Sequence, residues 1–352
     1  MACDECERCK SLGYKFCIKC GRNFEEPEPP PHTDNEDLLD ERTLHKTVLP
    51  SMVAVLIASL LCTICLLVNM GSTIDFLYTY HSSITIYFIG AFKLATLTGT
   101  SLQMYFAIIA AIAIASVIVF IYESRVVFKI DQEDYLETAR KTPAYWLGLL
   151  LGSTIVIELI INFIMGLLGY NPSTPGWIVD MTLPEMVFSF TKAAVWEEVA
   201  FRLLFIGVPM TIVAFCYRQK DGLRYLFGGT GVTKLGIALM VISALLFAYA
   251  HVDGWGLWKM FPTIVGGLAF GYLYIRFGIH VCIVAHLIND YSTIWANMFG
   301  PIGSLMFIAI VLLGIVCIPI LVKKTMDGIH RFDSLPKTGF ETVQDNNDSN
   351  TD

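Results

Sequence analysis

Charge is scarce in this chain. Only 16% of its residues are Asp, Glu, Lys or Arg, against roughly 25% in soluble domains, and the mean hydropathy is positive. A single large soluble core is therefore excluded in favour of a membrane protein. The net charge of −7 comes mainly from the acidic stretches 25–41 and 341–352, so it describes the tails and not the body. No basic groove or aromatic platform is present, and nucleic acid is excluded as a partner. HExxH is missing, which removes one independent signature of a catalytic metal. The two halves show no repeat of the kind that builds a small-solute transporter. No signal peptide is expected, because the first apolar run begins near residue 49 behind a long polar tail without a small-residue cleavage site.

What is present is a series of long apolar runs at about 49–70, 101–122, 144–169, 185–217, 235–252, 258–276, 278–297 and 301–322. Each is near the ~20 residues that cross the hydrocarbon as a helix. The fold expected is an all-α polytopic membrane protein of about eight transmembrane helices, a bundle over 49–324, preceded by a small Cys-rich module at 1–24 and an extended acidic, Pro-rich linker at 25–48, and followed by a disordered tail at 325–352. Residues 76–98 are apolar too, but Lys93 and many Thr and Tyr mark them as an interfacial or re-entrant piece. Basic residues sort the loops. Arg125, Lys129, Arg140 and Lys141 lie between the second and third runs, Arg218, Lys220, Arg224 and Lys234 between the fourth and fifth, and Lys323 and Lys324 after the last. The alternate loops hold only Lys93, no base at 170–184, and Lys259. A cell-membrane protein with both termini in the cytoplasm satisfies the positive-inside rule at every loop.

Ten cysteines are present, and Cys3, Cys6, Cys9, Cys17 and Cys20 fall in the first twenty residues. A CxxC turn presents two thiolates together, and two such turns complete a zinc tetrahedron. Cys17-Ile18-Lys19-Cys20 is one turn; the other is Cys3/Cys6 or Cys6/Cys9, so four of the five are expected to hold a structural zinc. A cytoplasmic position disfavours a disulfide module instead. The run 14–21 resembles the second knuckle of small microbial zinc ribbons, which points to recognition of a protein partner or to assembly, because a four-thiolate site is closed to catalysis. Cys62 and Cys65 lie in the first apolar run, and Cys216, Cys282 and Cys317 are isolated in others, where a small core residue is the default.

Ionisable groups at bilayer depth cost at least ~2.5–3.5 kcal/mol each on insertion scales. The fourth run nevertheless carries Lys192, Glu197, Glu198 and Arg202. Helical geometry divides them. Glu198 and Arg202 are four apart, share a face and pair, whereas Glu197 points about 100° away and has no partner in its own helix. Glu197 is thus the carboxylate free to act as a general base. Two further runs supply histidines. Phe247 and His251 share a face, as do His286 and Asp290, and a carboxylate beside a histidine orients its ring. A lone intramembrane His is usually a satisfied interhelical hydrogen bond; Glu197, His251 and His286 together are not read that way. Glu158 and Asn162, four apart in the third run, are expected to brace Arg202 or Lys192. His280 is read as interfacial, and Asp253-Gly254-Trp255-Gly256 as a turn with Trp255 at the membrane interface.

Glu197-Glu198-Val199-Ala200-Phe201-Arg202, Phe247…His251 and His286…Asp290 have the pattern EExxxR, FxxxH and HxxxN/D in that order. Here the chain, over roughly 145–320, resembles the CAAX-protease and bacteriocin-processing (CPBP, or Abi) family of intramembrane proteases. The resemblance implies an eight-helix bundle with a cavity for a membrane-associated peptide or protein. It makes Glu197, His251 and His286 catalytic, places Glu198 and Arg202 in the same motif, and puts Asp290 where Asn is frequent. An ionised Asp290 cannot act as the oxyanion donor that an Asn there can be. Two mechanisms stay open. In the favoured one Glu197 activates a water while His251 and His286 stabilise the oxyanion; in the other, Glu197, His251 and His286 hold a catalytic metal. A non-catalytic membrane scaffold or a bacteriocin-immunity protein of the same fold is the alternative function. His251, at the far end of its run, and His286, near the start of its own, are expected at different depths, so the helices must shift or tilt if the site is to close.

Overall fold

The computed structural model describes residues 34–79, 84–88, 92–129, 135–219 and 221–340. The chain divides into two compact units, Met1–Leu44 and His45–Asp352. The Cys-rich module expected at 1–24 lies outside the described residues. The architecture is helical, as the apolar runs predict. Its long helices are α1 (Asp34–Thr79), α2 (Gly99–Ser124), α3 (Pro143–Leu167), α4 (Leu183–Cys216), α5 (Lys234–Ala250), α6 (Met260–Phe277), α7 (Ile279–Phe299) and α8 (Pro301–His330).

Among the described residues seven helices are long and apolar enough to cross a membrane, namely α1 to α6 and α8. The exception among the expected eight is α7, whose hydropathy is lowered by His280, His286, Asn289 and Asp290. It is nonetheless packed within the bundle: Ile283, Val284, Ala285, Leu287, Tyr291 and Trp295 are all buried. On α8, by contrast, Ile302, Leu305, Leu312 and Ile315 are exposed, the pattern of a lipid-facing helix.

Two boundaries differ from expectation. The segment from Asp34 is already helical and continues, through Pro50, to Thr79, so 34–48 is not an extended linker. Ile84–Phe88 and Phe92–Leu97 are antiparallel strands, a structure that the reading of 76–98 as an interfacial or re-entrant piece did not specify. Their Ile, Thr, Tyr and Phe suit a pleated surface better than a helix. At the other end α8 runs on to His330, and the described part of the tail folds back: the carbonyls of Pro336 and Lys337 accept hydrogen bonds from the amides of Lys234 and Leu235. These carbonyls satisfy two of the orphan donors at the start of α5.

Helix starts are written in the sequence. Thr142 accepts from the amide of Tyr145 with Pro143 as first helical residue, Thr182 and Glu185 form a capping box at α4, and Thr233 accepts from the amide of Gly236 at 2.9 Å. One residue, Gly278, joins α6 to α7; its φ of +111° is open to glycine and strained for any side chain.

Small residues bring the helices close, as expected where lipid is the solvent. Gly267 and Gly271 form a GxxxG face on α6 that lies against Ala244 and Met240 of α5. Gly152 of α3 and Gly314 of α8 meet backbone to backbone, and Ser153 donates to the Gly314 carbonyl at 3.3 Å. Replacing Gly152 by Val forces α3 and α8 apart. Overpacking of this kind costs about 1–3 kcal/mol or more, and should appear as a clear fall in the thermal midpoint of the detergent-solubilised protein; an unchanged midpoint would remove this contact from the framework. Cys62, Cys65, Cys282 and Cys317 are buried and free, which fits their reading as packing residues, whereas Cys216 at the end of α4 is exposed.

Candidate active site

The motif of α4 sits at a change in the helix itself. Regular α-helix ends at Glu198, and Val199–Gly207 form a π-helix, the wider turn that occurs frequently at functional sites. Within it the carbonyl of Phe201 accepts from Ser243 Oγ of α5 at 2.9 Å. Just before the widened turn, Glu197 and Glu198 diverge. Glu197 lines a cavity and is 29% exposed, whereas the side chains of Glu198 and Arg202 are wholly buried behind its wall.

Glu198 and Arg202 pair as their spacing predicts, with Arg202 Nη1 3.2 Å from Glu198 Oε1. The guanidinium also donates through Nη2 to the Gly267 carbonyl at 3.4 Å, and it lies 4.2 Å from the ring centre of Phe247 and 5.3 Å from that of Phe270. Such stacking suits a weakly hydrated, planar cation in a dry place. Glu198 Oε2 and Arg202 Nε have no hydrogen-bond partner among the described residues. Sequence reasoning missed Gly267 and Phe270 as supports of this pair, and Ser243 as the partner of the widened turn. The paired glycines 266–267 were the one available signal, since a small residue lets a neighbouring backbone carbonyl come within reach.

The same Glu198 Oε1 accepts from His286 Nδ1 at 2.8 Å. His251 makes an equivalent bond, Nδ1 to the Phe247 carbonyl at 2.8 Å. Carboxylates and carbonyls only accept, so the hydrogen-bond network assigns the proton of each ring to Nδ1. Nε2 of each ring is left facing the cavity. Both Nε2 atoms lie 3.7 Å from Glu197 Oε2. The expected mismatch in depth therefore does not separate the histidines: the cap of α5 and the first half of α7 converge on one carboxylate oxygen. Asp290 closes the group, its Oδ2 3.5 Å from His286 Nε2 and its Oδ1 accepting from Asn289 at 3.3 Å.

The cavity has a volume of about 400 Å³ and is walled by α3, α4, α5, α6 and α7. Its polar lining includes Glu158, Lys192 and Lys259 besides the site itself. Glu158 makes no ion pair with Arg202 or Lys192 among the described residues; it lines the cavity together with Lys192 and Lys259. Asn162 Oδ1 is buried without a partner among the described residues. Trp255 does follow His251 in a short turn, but it lines the cavity, with Lys259 Nζ 4.3 Å from its ring centre. His280 is remote from the site and pairs with Glu123 at 3.0 Å. Among the described residues no three His, Cys, Asp or Glu side chains are placed to hold one metal ion together.

Comparison with family models gives a match over part of the chain. Residues 179–292 fit the family described as type II CAAX prenyl endopeptidase Rce1-like. Over this stretch the chain is similar to the Rce1-like family. The match starts just ahead of α4 and ends within α7, so it takes in Glu197, Glu198, Arg202, His251, His286 and Asp290. Comparison with curated proteins gives no match, and comparison with solved structures gives none. The Rce1-like family is one of membrane proteases of the CAAX type, and the candidate membrane-spanning helices of this chain fit a multi-pass membrane protein.

Proposed function

We propose that this protein is an intramembrane endopeptidase in which Glu197 activates a water molecule for attack on a peptide carbonyl. The observation that carries the reading is the convergence of Glu197 Oε2 with His251 Nε2 and His286 Nε2, each at 3.7 Å, on the wall of a cavity within the helices. A water about 2.8 Å from Glu197 Oε2 and from either Nε2 fits that spacing, because each of the two separations is shorter than two hydrogen bonds end to end. Glu197 accepts the proton as the water attacks. The two imidazoles bracket the point where the carbonyl oxygen gains charge, and a proton placed on either Nε2 would face it. Glu198 and Arg202 touch neither water nor peptide; they hold His286 in its tautomer and are positioning residues.

Asp290 is not needed in this scheme. It adds a negative charge beside His286 Nε2, where a developing oxyanion would be repelled, while Glu198 already fixes that ring. Asp290→Asn should therefore keep or raise turnover on a membrane peptide. A loss of cleavage would instead make its carboxylate an essential partner of His286.

The test of the whole reading is cleavage by the purified full chain in liposomes containing candidate membrane peptides, with and without a strong chelator. Cleavage that survives chelation supports water activated by Glu197 alone; cleavage abolished by chelation and restored by added metal supports the metal mechanism. Absence of cleavage, with an intact fold, favours a scaffold. The N-terminal cysteines are assigned to a separate, structural zinc. Bound zinc should fall on Cys17→Ser/Cys20→Ser and stay unchanged in Glu197→Gln, as measured by elemental analysis of the purified protein.

A further inference from the structure

The two ends of the bundle differ in charge, and the cavity belongs to one of them. At one end Arg276 of α6 lies 4.3 Å from the ring centre of Trp146 on α3, and Lys324 of α8 lies 5.4 Å from the same ring. Lys234 at the start of α5 donates to the carbonyl of Asp333 at 3.0 Å, and His280 at the start of α7 meets Glu123 at the end of α2. The starts of α3, α5 and α7 and the ends of α2, α6 and α8 thus share this end. With them come Arg125, Lys129, Arg140, Lys141, Arg218 and Arg224. At the opposite end, the α3–α4 connection holds Asp180 and no Lys or Arg, and the α5–α6 connection holds Asp253 and Lys259.

The cavity is lined at its edge by Thr174, Trp177 and Ile178 from the first of those connections and by Trp255 and Lys259 from the second. No Lys or Arg of the basic end lines it; its lining toward that end stops at Leu147 and Leu273, about a turn inside α3 and α6. His251 caps α5 at the base-poor end. The bias in Lys and Arg over short loops sets the orientation of a membrane protein, with the richer side cytoplasmic. We infer that the cavity opens on the extracytoplasmic side, and that the peptide delivered to Glu197 comes from the outer leaflet or from outside the membrane. This deepens the peptidase reading, on which the word substrate rests: the substrate class is an exported or membrane-anchored segment with its scissile bond near the outer surface. A cytoplasmic C-terminus, which a prenylated protein would present, approaches the opposite, basic end of the bundle.

Sidedness can be read without activity. Thr174→Cys at the cavity edge and Asp221→Cys at the basic end are exposed positions outside the catalytic group. Ser173→Cys provides a second exposed position beside the first, and native Cys216 a second reporter near the other. Full-length variants in intact cells are treated with a membrane-impermeant sulfonated maleimide, and the labelled peptides are identified by mass. Residues 173 and 174 should label in intact cells, and 216 and 221 only after permeabilisation. Labelling of 216 or 221 in intact cells, or labelling of 173 and 174 only after permeabilisation, overturns the inference. The same pattern is expected in a Glu197→Gln background, so loss of peptidase activity and reversal of orientation give different results.

Discussion

Replacing Glu197 by Gln should lower peptide cleavage by about 10²–10⁴-fold, the range for loss of a general base, while leaving the thermal midpoint nearly unchanged. Glu197 is the part-exposed carboxylate of the motif and lines the cavity. Its nearest polar neighbours are the Nε2 atoms of His251 and His286, both too far for a direct hydrogen bond at 3.7 Å. The carboxylate is therefore not tied into the framework, and an amide of the same shape fits in its place. What Gln cannot do is accept the proton from water. The same variant should retain bound peptide, and capture followed by mass identification would give the substrate. Wild-type turnover in Glu197→Gln, measured on any peptide the parent cleaves, would end both the water and the metal mechanisms.

The separation of Glu197 from Glu198 is legible in the sequence because it depends on helix geometry alone: neighbours point about 100° apart, and a residue four along lies beneath the first. The structure keeps that division, with one carboxylate at the cavity and the other under the Arg202 guanidinium. The number and position of the apolar runs are legible for the same local reason. Other features are not, because they depend on what another helix brings. The bond from His286 Nδ1 to Glu198 joins residues 88 apart, and no spacing rule reaches across that distance. Glu158 escapes assignment because Lys259, which lines the same cavity, lies beyond two intervening helices in sequence. The π-turn at Val199–Gly207 has no dependable signature in composition. Depth misleads for a related reason. Rise per residue sets where a Cα lies along its own axis, but not the offset between axes or the reach of the side chains, and these let His251 and His286 meet one oxygen.

The second large effect concerns the pair behind the wall. Arg202→Leu should destabilise the protein by about 3–5 kcal/mol, the cost of leaving one partner of a buried ion pair uncompensated, and should abolish cleavage although Arg202 does not line the cavity. Glu198 Oε1 is shared between Arg202 Nη1 at 3.2 Å and His286 Nδ1 at 2.8 Å, and both charged side chains are wholly buried. Without the guanidinium, Glu198 must either carry an unpaired charge in a dry place or take up a proton, and either outcome disturbs the acceptor that orients His286. A double replacement, Glu198→Gln with Arg202→Leu, separates these effects. The charge is removed, so much of the lost stability should return, as expected when a buried pair is replaced by neutral groups. The amide carbonyl introduced at position 198 can still accept from His286 Nδ1, so part of the activity should return with it. Thermal unfolding and cleavage measured over the full cycle would show a favourable coupling in both. If stability recovers while cleavage stays as low as in Arg202→Leu, the guanidinium has a direct electrostatic role at the reacting centre. If neither recovers, the stacking of Arg202 against Phe247 and Phe270, and not its charge on Glu198, is what holds α4, α5 and α6 around the site.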